Sequence, residues 1–125
     1  MIGVGGVDCP FCAIVAGEAP ATLVREWPDA LALVPLDQVV DGHTLVIPKQ
    51  HVEHFAADPD VSAAVMRRAA ELMRWTDRPM NVITSRGRAA TQSVAHLHLH
   101  LVPRAENDGL ALPWYSGKGR KAAHV

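Results

Sequence analysis

From residue 96 onward the chain alternates without a fault, His96, Leu97, His98, Leu99, His100, Leu101. Side chains of an extended strand point to opposite faces in turn. The stretch 96–102 therefore predicts a strand, ended by Pro103, with three imidazoles on one face and three leucines on the other. Shorter apolar runs at 23–26 and 30–36 read as two strands split by a Pro28-Asp29 turn. The β-branched and apolar run 44–47 follows Asp41-Gly42 and stops before Pro48, and 81–85 has the same character.

Between these the period changes. Val61, Val65, Ala69, Leu72 and Met73 recur at helical spacing, with Arg67, Arg68, Glu71 and Arg74 mostly opposite. Asp58 is placed to cap this helix, Pro59 to occupy its first turn, and the helix is expected to run to about Trp75. A shorter helix is expected over 10–16, stopped by Gly17, and a polar loop containing Gly87 over 86–91. The pattern predicts an α+β fold: an antiparallel sheet packed with one long helix and a short N-terminal helix.

At 125 residues, 49% of them hydrophobic, the chain is expected to form one domain. We expect it to span 9–114, with flexible segments at 1–8 and at 115–125, where Lys118, Arg120 and Lys121 make a basic tail. A net charge of −1 gives no basic field to attract nucleic acid. No run is apolar and long enough for a membrane span, and 1–8 lacks the positive charge of a signal peptide. The expected setting is the reducing cytoplasm. There the pair Cys9 and Cys12 points to metal or redox chemistry rather than a structural disulfide, without the strand–helix alternation of a thioredoxin-like fold.

Three imidazoles on one face are costly to maintain for packing alone, since each titrates near neutrality and needs partners when buried. The row could bind a metal, or could supply a nucleophile with neighbours that orient it and neutralise an anion. The bland alternative is a polar sheet face that happens to be rich in histidine. Thr91, Gln92 and Ser93 precede the row, and a loop entering a strand offers backbone N–H groups and hydroxyls that could hold phosphate oxygens.

At this point the chain resembles the histidine-triad (HIT) family. The specific match is Gln92-Ser93-Val94-Ala95-His96-Leu97-His98-Leu99-His100, continued by Leu101-Val102-Pro103-Arg104. Upstream, the block from Gly42-His43 to Gln50-His51 and the block from Cys9-Pro10-Phe11-Cys12 to Gly17-Glu18 are similar to two further blocks of that family. Together the three extend from about Cys9 to Trp114.

The resemblance implies a role for each matching residue. His98 corresponds to the nucleophile that attacks an α-phosphate and becomes nucleotidylated. His100 corresponds to the residue on the phosphate and leaving group, and His43 to a fourth histidine facing the nucleophile. Phe11, Ile14, Leu33 and Leu36 match an apolar base pocket, although singly each reads as ordinary core. Ser85, Gln92 and Ser93 match positions near the phosphates. A subset of the family has a similar cysteine pair, and the resemblance then implies a structural zinc held by Cys9, Cys12, His51 and His96. His54 and His124 have no such support.

Three positions depart from the family pattern. Pro35 stands where a carboxylate or amide usually meets the ribose, Ser85 where many members have an amide, and Thr91 where glycine is common. Asp37 is close to Pro35 but would point away if the strand alternated through it. The expected function is a nucleotide hydrolase or nucleotidyl transferase, either a phosphoramidase or a dinucleoside-polyphosphate hydrolase. Two alternatives stay open: a zinc-stabilised nucleotide-binding or interaction module with little turnover, and a metal-dependent hydrolase using the histidine row. The expected partners are a nucleotide-like small molecule and a second copy of the chain. That homodimer would be joined by the helix 58–75, with Ala63, Ala64, Ala69 and Ala70, and by the strand 81–85, with Trp114 reaching the partner's site.

Overall fold

In the computed structural model, residues 8–118 are described. The expected segment 1–7 and the tail residues Arg120, Lys121 and His124 lie outside them. A short helix, α1 (Pro10–Val15), is followed by strands β1 (Leu23–Glu26), β2 (Ala30–Leu33) and β3 (Thr44–Pro48). The long helix α2 (Pro59–Met73), β4 (Met80–Ile83) and β5 (Leu99–Pro103) complete the chain. The strands form one antiparallel sheet in the order β1-β2-β3-β5-β4.

Alternation along β2 and β3 divides the core into two layers. Ala30, Ala32 and Val46 join Leu97, Leu99 and Leu101 against Val65 and Ala69 of α2. The opposite face, Leu31, Leu33, Leu45 and Ile47, packs with Cys9 and Phe11 on the side of α1. The small alanines of β2 thus face the long helix, where close approach matters, and its leucines fill the other layer. Strand β2 is buried throughout, so slipping its register by one residue would exchange the two sets.

The local signals act as expected at the helix starts. Asp58 Oδ1 accepts from the backbone N–H of Asp60 at 3.1 Å and of Val61 at 3.4 Å, with Pro59 in the first turn. In α1 the capping atom is Cys9 Sγ, which accepts from the Cys12 N–H at 3.3 Å. Gly17, at φ +76°, provides the left-handed residue after this helix. Among the described residues no helix is long and apolar enough to cross a membrane.

Three strands differ from their expected limits. Strand β2 ends at Leu33 rather than residue 36; Val34 still donates to Thr22 O, but Pro35 has no N–H to continue. Strand β4 begins at Met80 and ends at Ile83, where Thr84 Oγ1 takes over by donating to His98 O at 2.9 Å. Strand β5 begins only at Leu99, because the carbonyls of His96 and His98 accept from side chains instead of a ladder partner. The faces still alternate through 96–98, with the leucines buried against α2.

The packed chain continues past Trp114. Tyr115 exchanges backbone hydrogen bonds with Leu112, and Gly117 O accepts from Gly109 N at 2.9 Å. Arg104 anchors this segment, forking onto both carboxylate oxygens of Asp108 and reaching Asn81 of β4 and Leu110 O.

Candidate active site and metal centre

The sheet face turned toward α1 carries the histidines. His98 is nearly buried, and its Nδ1 lies 2.8 Å from His96 O. A carbonyl only accepts, so the ring proton is on Nδ1 and the lone pair of neutral His98 is on Nε2. Phe11 meets His98 edge-on at 5.2 Å between ring centroids, and His100 lies 5.1 Å away on its other side.

His43 and His100 form a second relay. The Val39 N–H donates to His43 Nδ1 at 3.2 Å, which puts the proton of neutral His43 on Nε2. That nitrogen lies 3.0 Å from His100 Nδ1, so His100 accepts there and keeps its own proton on Nε2. Burial lowers the pKa of His43 and carries His100 down to about 4, with His98 and His43 nearby adding to the latter shift. Both rings are therefore neutral at pH 7. The hydrogen-bond partner of the His43 ring is His100, and His43 and His98 line the same cleft.

These three histidines line a cleft of about 860 Å³, together with Phe11, Ile14, Leu33, Leu36, Val94 and Ser93. Leu36 is fully exposed on the rim, whereas Phe11 and Leu33 are buried in its wall. Of the expected phosphate-side residues, Ser93 lines the cleft, and Gln92 and Ser85 do not. The Gln92 amide is committed to the backbone: it accepts from Gly87 N–H and donates to the carbonyls of Glu53 and Val94. It braces the loop 87–92. Thr91 closes that loop at φ +71°.

Two polar lining residues, Asp37 and Thr22, were given no site role by the sequence reading. Asp37 lies in the cleft wall, because β2 stops at Leu33 and the alternation that would have turned it away does not reach it. It brings a carboxylate to a lining otherwise free of acidic, lysine and arginine side chains. Thr22 also lines the cleft, and its carbonyl accepts from the Val34 N–H. The proline at 35 was the available signal for Asp37.

Behind Phe11, the Cys9, Cys12, His51 and His96 ligand atoms all lie within 4.8 Å of one another. His96 Nδ1 is 3.4 Å from Cys9 Sγ, 3.6 Å from Cys12 Sγ and 3.1 Å from His51 Nδ1; Cys12 Sγ is 3.2 Å from His51 Nδ1. His96 Nε2 lies 2.9 Å from Pro48 O and must donate to it, leaving the Nδ1 lone pair aimed at the cluster. His96 is fully buried and burial carries its pKa down to about 4, the neutral form a metal ligand requires. Burial pushes the Cys12 thiol up to about 11, so its deprotonation depends on a cation beside it. The four expected ligands are thus brought together in a set that could hold a metal ion.

Known proteins are similar to this chain in sequence and fold. An uncharacterized HIT-like protein of Methanocaldococcus jannaschii is 38% identical over 106 residues, covering 81% of this chain and 82% of its own. An adenosine 5'-monophosphoramidase of Schizosaccharomyces pombe is 33% identical over 113 residues, covering 88% and 85%. A solved protein from Streptococcus mutans superposes with a TM-score of 0.78 at 35% identity, over 100% of this chain and 80% of that one. The HIT domain matches residues 16–107, and on these grounds the chain belongs to the HIT family.

Proposed function

We propose that the protein is a nucleotide hydrolase or nucleotidyl transferase that works through a covalent nucleotidyl-His98. The observation that carries this reading is the His98 Nδ1–H bond to His96 O, which leaves the Nε2 lone pair in the cleft. Nε2 attacks the α-phosphorus, forming an N–P bond as the bond to the leaving group breaks. His100, with its proton on Nε2, is the donor beside that group. Water then attacks the same phosphorus, the N–P bond breaks, and the imidazole returns with a nucleoside monophosphate as product. The apolar wall of Phe11, Ile14, Leu33 and Leu36 suits a nucleobase, and Ser93 supplies a hydroxyl for phosphate oxygens. The activity in the S. pombe relative's name makes a nucleoside phosphoramidate the first substrate to try.

Zinc is the ion we assign to the Cys9, Cys12, His51 and His96 set. Zn–N and Zn–S bonds of about 2.0 and 2.3 Å give tetrahedral edges of about 3.3–3.8 Å; four of the six edges run from 3.1 to 3.6 Å, and all six lie within 4.8 Å. Four protein ligands leave no open position, so the ion's contribution is structural. Among the described residues no second cluster of this kind occurs, which removes support from a metal-dependent hydrolase built on the histidine row. A homodimer fits the same picture. Strand β4 is a sheet edge with Val82 and Ile83 exposed, and Met66 is exposed on α2. Ala69 points into its own core, leaving Ala63, Ala64 and Ala70 for a partner helix, and Trp114 is half exposed.

The test is turnover of adenosine 5'-phosphoramidate, with a search for a one-nucleotidyl mass increase on the His98 peptide in protein quenched without acid. Activity that vanishes in His98→Ala, with the nucleotidyl group found on the His98 peptide of the unaltered chain, agrees with the mechanism. Undiminished activity in His98→Ala ends it, and binding without turnover favours a nucleotide-binding module.

A further inference from the structure

The metal set and the cleft share one residue. His96 offers Nδ1 to the thiols and His51, while its backbone carbonyl receives the His98 Nδ1–H. Phe11 joins them a second time. It sits between Cys9 and Cys12 in α1, and its ring edge meets His96 at 5.7 Å and His98 at 5.2 Å. Two of the three contacts of the His98 ring, the His96 carbonyl and Phe11, therefore belong to the segments that carry the metal ligands, and the third is His100.

The peptide beneath His98 has little other support. Strand β5 begins at Leu99, so 96–98 lack ladder hydrogen bonds. Leu97 N–H donates instead to Val52 O at 2.8 Å, and Val52 follows the ligand His51. On the other side Thr84 Oγ1, from the end of β4, donates to His98 O. His100 differs: it lies within β5, paired with Leu45 and Ile83, and its ring is held by His43.

We propose that the metal centre is a positioning device for the nucleophile. Ligation of His96 fixes the peptide whose carbonyl holds His98 Nδ1–H, and ligation of Cys9 and Cys12 fixes Phe11 against the ring. His96 and Phe11 are positioning residues in this scheme, and neither touches phosphorus. Without an ion, the two thiols and two imidazoles keep weak S–H bonds and the 3.1 Å contact between His51 Nδ1 and His96 Nδ1. The His96 peptide is then held by Leu97 N–H on Val52 O and by the His96 ring on Pro48 O without the ion between the segments, and His98 can move its proton to Nε2, where it no longer has a lone pair for attack. His100 keeps its tautomer, because its partners lie off this path. The inference rests on His98 being the nucleophile only for its consequence; the coupling itself is a statement about the ring.

The experiment reads the ring directly. Histidine side-chain ¹⁵N and ¹³C resonances are recorded for zinc-loaded, cadmium-loaded and metal-depleted protein, assigned with His98→Asn and His100→Asn. Zinc-loaded protein is expected to show His98 as a single Nδ1–H tautomer. Depleted protein is expected to show a loss of that signature for His98, with His100 unchanged. Cadmium, with longer bonds, shifts His98 again while the chain stays folded, so this comparison decides the matter if depletion unfolds the protein. His98 resonances that coincide in the zinc and cadmium forms, and in the depleted form where it is folded, overturn the proposal. Titration with AMP separates the two readings: absence of AMP binding ends the nucleotide assignment alone, since the ring signature is measured without ligand.

Discussion

His43 and His100 stand 3.0 Å apart, Nε2 to Nδ1, and the direction of that hydrogen bond is fixed from outside by the Val39 N–H. Removing His43 leaves His100 free to place its proton on either nitrogen. His43→Ala is expected to lower kcat about tenfold, and His100→Ala about a hundredfold, within the usual range for a positioned acid. Steady-state kinetics on a nucleoside phosphoramidate measure both, and equal losses would show that His43 does more than orient its neighbour.

Acid should weaken the fold through the same pair. Folded His100 titrates at about 4 against 6.5 when unfolded. Between those values the unfolded chain binds the extra proton, so stability is fully present above pH 6.5 and is lost as pH falls toward 4. Urea unfolding at pH 7.5 and pH 4.5 is expected to show a smaller drop in His100→Asn than in the unaltered chain. The comparison cancels effects common to both, metal release among them.

Thr91 is a β-branched residue at φ +71°, a region such side chains rarely adopt. Relief of that strain is partly offset by the greater freedom of glycine in the unfolded chain. Thr91→Gly is expected to stabilise the protein by up to about 1 kcal/mol, read as a raised Tm. A lowered Tm would mean that the threonine side chain holds the loop.

Leu99 is fully buried between the sheet and α2. Leu99→Ala is expected to cost about 3 kcal/mol in chemical denaturation. A cost below about 1 kcal/mol would mean that the layer closes around the gap.

Purified protein is expected to carry one zinc per chain by elemental analysis, and Cys9→Ser to lose the ion and lower Tm. Protein from zinc-replete cells that contains none would refute the metal assignment.

Much of this was legible from periodicity, because the same residues serve one face at a time. Leu97, Leu99 and Leu101 declared the helix layer, and the intervening histidines declared the other. The capping of α2 by Asp58 is a local event and was equally readable. What escaped depends on where backbone hydrogen bonds go. Pro35 ends the β2 ladder early and brings Asp37 into the cleft, against the alternation assumed for it. Gln92 looked available for phosphate, yet its amide is used by Gly87, Glu53 and Val94, none of which a linear reading pairs with it. The start of β5 at Leu99 depends likewise on side chains of His98 and Thr84 taking the carbonyls a ladder would use.

Cys9 and His96 are 87 positions apart in the chain. During synthesis the two thiols emerge from the ribosome early and the histidine that completes their set emerges late. The ligand cluster therefore cannot close until most of the sheet has been made, and in that interval both cysteines are open to rival metals and oxidants. Once closed, the cluster joins the two ends of the fold into a loop of nearly the whole domain, where constraining the unfolded chain has its largest effect. Capture of the proposed zinc is thereby expected only after the chain has been made as far as His96.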